Sequence, residues 1–224
     1  MKNYWRLILT IAIKDILLEV RSREIILPVL VFAFLVGIVF NFAIDPTPET
    51  VATVVPGMLW VAFTFGGILG LNRSFSIEKD NGCIEGLMIC PVSRDVIFLG
   101  KMLSNYLFML AVEAVVFPVF AAMFNVSFLE PEILVLALVT TIGFASVGTL
   151  FSAMAVNTRS RELMLPLLFL PVVVPILVAA VEGTAGAVKN DNWGAVLHWI
   201  QLITAFDVIF VVVSAFAFSL VLEE

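Results

Sequence analysis

Charge is what this sequence has least of. Lys and Arg supply 12 of its 224 residues and Asp and Glu 18, together 13%, while 62% are hydrophobic. A soluble domain of that length could not hide so much apolar surface in one core. The net charge of -6, with the basic residues scattered, argues against nucleic acid, because phosphate binding needs clustered Lys and Arg. Cysteine is scarce as well. Cys83 and Cys90 are the only two, and the six residues between them fit no zinc spacing and leave no disulfide framework to read. They are expected to be free thiols with a packing role. There is no Walker-type phosphate loop, no Gly-rich dinucleotide turn, no metal cluster and no Ser/His/Asp set. The chain therefore reads as a non-enzyme with no catalytic residues, and any ATP hydrolysis belongs to another chain.

Long apolar runs are what the sequence does have, with a mean hydropathy of +1.12. A bilayer core of about 30 Å takes about 20 apolar residues per helix. Barrel strands would instead alternate over segments of about ten residues, a pattern missing here. The runs predict six transmembrane helices, at about residues 25–44, 51–71, 102–124, 133–156, 163–181 and 200–222. Residues 3–23 predict a different helix, with Asn3, Arg6, Thr10, Lys14 and Arg21 on one stripe and Trp5, Leu9, Ala12, Ile13, Ile16 and Val20 opposite. That spacing suits an amphipathic helix lying among lipid headgroups. A signal peptide competes, but Lys14 and Asp15 cut the apolar run short and no small-residue cleavage site follows. The expected fold is an all-α membrane protein, a single domain over residues 1–224.

The placement of charge supplies the topology. Five basic residues precede the first span, four lie between the second and third, and two lie between the fourth and fifth. All share one face, and only Lys189 is on the other. Positive residues mark the cytoplasmic side, so both termini and the stretch 72–101 are expected in the cytoplasm. Within the spans, Gly66 and Gly70 and the small residues Gly143, Ala145, Ser146, Gly148 and Ser152 suit close helix packing inside the chain. Pro166, Pro171 and Pro175 predict kinks or a break in the fifth span. Residues 182–192 read as a Gly-rich polar loop, and Trp193 and Trp199 as an interfacial belt.

Asn72 to Lys101 is the one long polar interruption, with four basic and four acidic side chains. Ile77, Ile84, Leu87, Met88, Ile89, Val96, Ile97, Phe98 and Leu99 run among those charges. Such a segment forms short amphipathic helices whose apolar side rests on headgroups or docks in a partner's groove. The pattern Gly82-x-x-Glu85-x-Leu87-Met88-x-x-Pro91, ending in Gly100-Lys101, resembles the coupling segment of ABC-2-type ABC transporter permeases. Pro56-Gly57-Met58-Leu59-Trp60-Val61-Ala62 and Leu170-Pro171-Val172-Val173-Val174-Pro175 look like the haem exporter B permeases (CcmB) of cytochrome c maturation. Length and span order match as well, and Asn72 departs from the acid expected beside Arg73.

The resemblance implies an inner-membrane permease subunit that couples a cytoplasmic ABC ATPase to haem export, or to release of the haem-loaded chaperone. It implies as partners that ATPase, a haem-handling membrane protein and a periplasmic haem chaperone, with membrane lipids around the spans; six spans are few for a complete path, so a second permease copy or another membrane subunit is expected as well. Gly82, Glu85, Leu87, Met88 and Pro91 would be its coupling residues. ATP would be bound by the partner, and no cofactor is expected on this chain itself.

Glu113, near the middle of the third span, is costly there unless paired, protonated or facing a wet cavity. It reads as a path or gating residue or as a neutral acid bonded to a neighbouring helix. Asp207 in the sixth span is its candidate companion, and Pro171 and Pro175 join them as gating candidates. His198, the only histidine, invites a haem-ligand reading against the plainer one of an interfacial aromatic belt. Two rival functions stand beside the resemblance: an ABC-2-type exporter of a drug, lipid or polysaccharide, and a non-transport membrane scaffold.

Overall fold

A backbone surrounded by hydrocarbon has to satisfy its N–H and C=O groups within the segment, which favours helices. The computed structural model describes residues 2–22, 26–44, 47–80, 86, 92–155, 158, 161–189 and 193–221, and every regular element among them is helical. In chain order these are α1 Lys2–Ser22, α2 Ile26–Ala43, α3 Pro48–Asp80, α4 Arg94–Phe124, α5 Pro131–Ala155, α6 Arg161–Val188 and α7 Trp193–Val221. Stretches of α3, α4, α5, α6 and α7 are long and apolar enough to cross a membrane, and α2 contributes a shorter apolar helix, Leu27–Ala43. The chain is a multi-pass, all-helical membrane protein.

Several helix boundaries differ from the sequence expectation. Helix α3 runs on to Asp80 and α4 begins at Arg94, so the polar stretch enters and leaves as helix. At 33 and 31 residues, these helices are about 50 Å and 46 Å long, well beyond a core of about 30 Å. Hydropathy marks where the membrane ends, whereas a helix ends where its backbone is interrupted. Helix α6 continues through Glu182 to Val188, and α7 starts at Trp193, which absorbs most of the expected loop 182–192. Helix α6 is also unbroken across Pro166, Pro171 and Pro175. Helices α3, α5 and α7 pack along its other side and hold it, while Pro171 and Pro175 fall on the exposed side.

Helix α5 is the centre of the bundle and is buried without interruption from Gly143 to Leu150. Small residues make this possible. A side chain at Gly148 would meet Leu71 of α3 and Phe169 of α6. Gly66 and Gly70 admit Val29, Val112 and Phe108 from α2 and α4, so their role is packing inside this chain. The main apolar core includes Trp60, Phe63, Phe117, Phe144 and Phe169. A second core lies at the end where Phe75, Val96, Phe98, Leu150 and Phe218 meet Ile8 and Ile11 of α1.

Candidate coupling site at the basic end of the bundle

Helix α1 carries three faces rather than two. Trp5, Leu9, Ile13 and Leu17 recur every four residues and are exposed, while Ile8, Ile11, Ala12 and Asp15 are buried against the bundle. The docking partner is the first turns of α4. A Cβ at Gly100 would stand 2.8 Å from Ile11 Cβ and 3.3 Å from the Ile8 carbonyl oxygen, so the absent side chain lets the two backbones approach. Lys101 Nζ lies 3.7 Å from Asp15 Oδ2 and 4.9 Å from the centroid of the Phe75 ring. Lys14 Nζ lies 2.7 Å from Asp15 Oδ1. A buried pair of this kind is weak evidence for stability, but removing one member is costly, so it fixes where α1 sits. Arg94 Nη1 donates to the Ser219 carbonyl at 2.9 Å, fastening the start of α4 to the end of α7.

The middle of α1 and the ends of α3, α4, α5 and α7 thus share one apolar platform, and residues 81–91 follow α3 and precede α4 in the chain. Gly82, Glu85, Leu87, Met88 and Pro91 lie outside the described residues, as do Cys83 and Cys90. The resemblance singled out Gly100 and Lys101 without their physical roles. Asp15 was legible only as a charge that interrupts an apolar run.

The intramembrane candidates separate. Glu113 is buried and meets the Thr141 hydroxyl, which also donates to the Ala137 carbonyl at 2.9 Å. Asp207 is buried on α7 against Gly143, two residues along α5 from Thr141. The two acids therefore meet different neighbours, not each other. Pro171 and Pro175 are exposed on the outer face of α6. His198 is exposed beside Trp199, ring centroids 5.7 Å apart, and among the described residues no three His, Cys, Asp or Glu side chains gather to hold a metal.

Sequence reasoning missed two buried polar links. Trp60 Nε1 donates to Thr184 Oγ1 at 2.9 Å, tying α3 to α6, and the Asn105 amide donates to Thr149 Oγ1 at 2.7 Å, tying α4 to α5. An apolar groove of about 610 Å³ runs between α2 and α4, lined by Leu30, Phe34, Ile38, Val115 and Val119 among others. A cleft of about 580 Å³ with mixed lining opens at the far end, near Asn41, Asn125 and Glu130.

Comparison with known proteins bears on this arrangement. Heme exporter protein B of Pseudomonas aeruginosa is 26% identical over 186 residues, 83% of either chain. The protein of the same name from Paracoccus denitrificans is 28% identical over 180 residues, 78% of this chain and 83% of that one. Its namesake in Escherichia coli K12 is 30% identical over 86 residues, 38% of this chain and 39% of that one. The family model described as CcmB protein matches residues 6–224, nearly the whole length, and the chain belongs to that family.

Proposed function

We propose that this chain is the membrane permease subunit of a haem export system in cytochrome c maturation. In this reading ATP hydrolysis by a partner ATPase drives export or delivery of haem, or release of the haem-loaded chaperone. The observation that carries the reading is the platform: the middle of α1 and the ends of α3, α4, α5 and α7 are fastened together by an apolar core, the Asp15–Lys101 pair and the Arg94 tether, and the chain connecting α3 and α4 is the polar stretch 81–91. A force applied to that connection reaches α1, α4 and α7 together. The sequence has no phosphate loop of its own, so the force comes from another chain. Gly82, Glu85, Leu87, Met88 and Pro91 are the proposed ATPase contacts.

In the same reading α2 is the sixth span. Its stretch Leu27–Ala43 rises about 26 Å, close to the hydrocarbon thickness. The basic end faces the cytoplasm with both termini, the membrane is the inner one, and α1 lies on its surface with Trp5, Leu9, Ile13 and Leu17 in the headgroup boundary. The exposed face of α6, with Pro171 and Pro175 between Leu167 and Val178, is where the haem-handling subunit or a second permease copy would pack. Glu113 and Asp207 are assigned to helix positioning in the path. The exposure of His198 beside Trp199 supports an interfacial belt over a haem ligand.

The test is complementation of a deletion strain, read by covalent haem in c-type cytochromes. The chain restores it, Leu87→Arg and Glu85→Arg do not, and the ATPase no longer co-purifies with either variant. Intact cytochrome c maturation in the deletion strain, with export of a drug, lipid or polysaccharide lost instead, would overturn the haem assignment. Full activity of both variants would favour a scaffold that needs no ATPase.

A further inference from the structure

Helix α5 treats its two polar interfaces differently. Toward α4, Asn105 donates to Thr149 and Thr141 meets Glu113. The residues of each pair advance in opposite directions by the same eight positions, so both rungs belong to one antiparallel register, about 12 Å apart. Toward α7 two buried polar groups, Asp207 and Ser146, have no side-chain partner among the described residues. Asp207 is 4% exposed, and its carboxyl has no side-chain hydrogen-bond partner among the described residues, only the backbone of Gly143 against it. Ser146 is 0% exposed, and its hydroxyl has none either. Asp207 Oδ1 occupies the space left by the missing side chain of Gly143, where a Cβ would collide with it. Unpaired buried carboxyls are rare in native proteins because each forfeits its hydration without replacement.

Helices α5 and α7 run in the same direction: Gly143 is level with Asp207, and nearer the basic end Leu150 shares the second core with Phe218. Ser146 lies three residues beyond Gly143 toward that end, on the adjoining part of the same helix face. A slide of α7 toward the basic end by at most that rise, about 4.5 Å, takes Asp207 from a bare Cα to an unused hydroxyl. The far side of α7 offers little obstruction within this chain, because Val208, Ile209, Val212, Val213 and Phe216 are exposed. A latch is present as well. Arg94 holds the Ser219 carbonyl, so the first turn after the connection 81–91 secures the basic end of α7 in the observed state, and the slide has to release that bond.

We propose that the α5–α7 seam is the sliding interface of this chain and the α4–α5 seam its fixed one, with Ser146 donating to Asp207 in the shifted state. This rests on the reading of the chain as an ATP-driven permease, and it names the element that moves. Axial shifts of packed helices up to one turn are an established form of two-state change.

The experiment uses the full chain with its co-expressed complex in native membranes. Two cysteine pairs report the register: Leu150→Cys with Ser214→Cys for the observed state, and Ala153→Cys with Ser214→Cys for the shifted one. A short bis-methanethiosulfonate linker joins them, and mass spectrometry of linked peptides identifies the bridge, so Cys83 and Cys90 stay in place. The 150–214 bridge should dominate without nucleotide, and the 153–214 bridge should rise when ATP and vanadate are added. Ser146→Ala should lower that rise by up to about tenfold, the equilibrium effect of one buried hydrogen bond. Gly143→Ala, which fills the socket of Asp207, should raise the 153–214 bridge without nucleotide. Opposite signs for the two substitutions are not expected of a merely structural contact. If 153–214 responds to Gly143→Ala but never to ATP, the seam stands and the permease reading fails. If neither nucleotide nor Gly143→Ala changes the ratio of the bridges, the sliding seam is wrong.

Discussion

Removing Asp15 should cost more than removing Lys101, and the structure gives the size of the difference. The side chains of Asp15 and Lys101 are 5% and 4% exposed, whereas Lys14, beside Asp15, is 37% exposed. Asp15→Ala takes a counter-charge away from a buried ammonium, a change worth about 3–5 kcal/mol when a buried pair is broken. The Phe75 ring at 4.9 Å returns part of that, about 1 kcal/mol, leaving about 3 kcal/mol. Lys101→Met keeps the volume and leaves Asp15 with Lys14 at 2.7 Å, so its cost should be about 1 kcal/mol. The double variant replaces both charges by apolar groups and should be more stable than Asp15→Ala alone. Equilibrium unfolding in mixed micelles, followed by Trp fluorescence, measures all three. Equal costs for the two single variants, or a double variant at the sum of both, would refute the reasoning that α1 is held by a buried charge pair.

Glu113→Gln should be nearly neutral for accumulation and thermal stability, because the amide can still pair with Thr141. Glu113→Leu loses the bond between α4 and α5, with Thr141 keeping only the Ala137 carbonyl, and should cost about 1 kcal/mol, read as a lower midpoint in detergent. Thr184→Val removes the acceptor of the Trp60 N–H inside the core and should cost about 1–3 kcal/mol by the same measurement, whereas Trp60→Phe removes the donor and leaves Thr184 bonded to the Ala180 carbonyl. Gly70→Ala drives a Cβ into the Phe108 ring and should destabilise by about 1–3 kcal/mol; Phe108→Leu in the same chain should restore part of the loss.

How much of this was legible in the sequence depends on which force set each feature. The long apolar helices were readable because apolar runs are recorded in the sequence directly, whereas the stripe read on α1 was not its buried face: Trp5, Leu9 and Ile13 are exposed, and Ile8, Ile11, Ala12 and Asp15 are buried. The boundaries were read less well. Residues 72–80 are polar yet helical, because α3 meets no proline after Pro56 and no glycine after Gly70 until it has passed Asp80. Glycines 183 and 186 signalled a loop, but Gly183 is a packing contact in the helix, facing Leu136 and Trp199. The pairings were not readable at all. Asp15 with Lys101, Trp60 with Thr184 and Asp207 with Gly143 depend on the relative register of helices distant in sequence, which no single-helix pattern encodes. For the same reason Asp207 looked like a companion to Glu113, although the two meet different residues of α5.

In the proposed function a partner ATPase takes hold at the connection between α3 and α4. The most direct test is a photo-reactive amino acid placed at residue 87 or 88 and, as control, at residue 42, an exposed position on the opposite end of the bundle. On illumination in intact cells the account predicts that 87 and 88 capture an ATPase subunit and 42 does not. Capture of lipid alone at 87 and 88, with no ATPase in the mild-detergent complex, would contradict it.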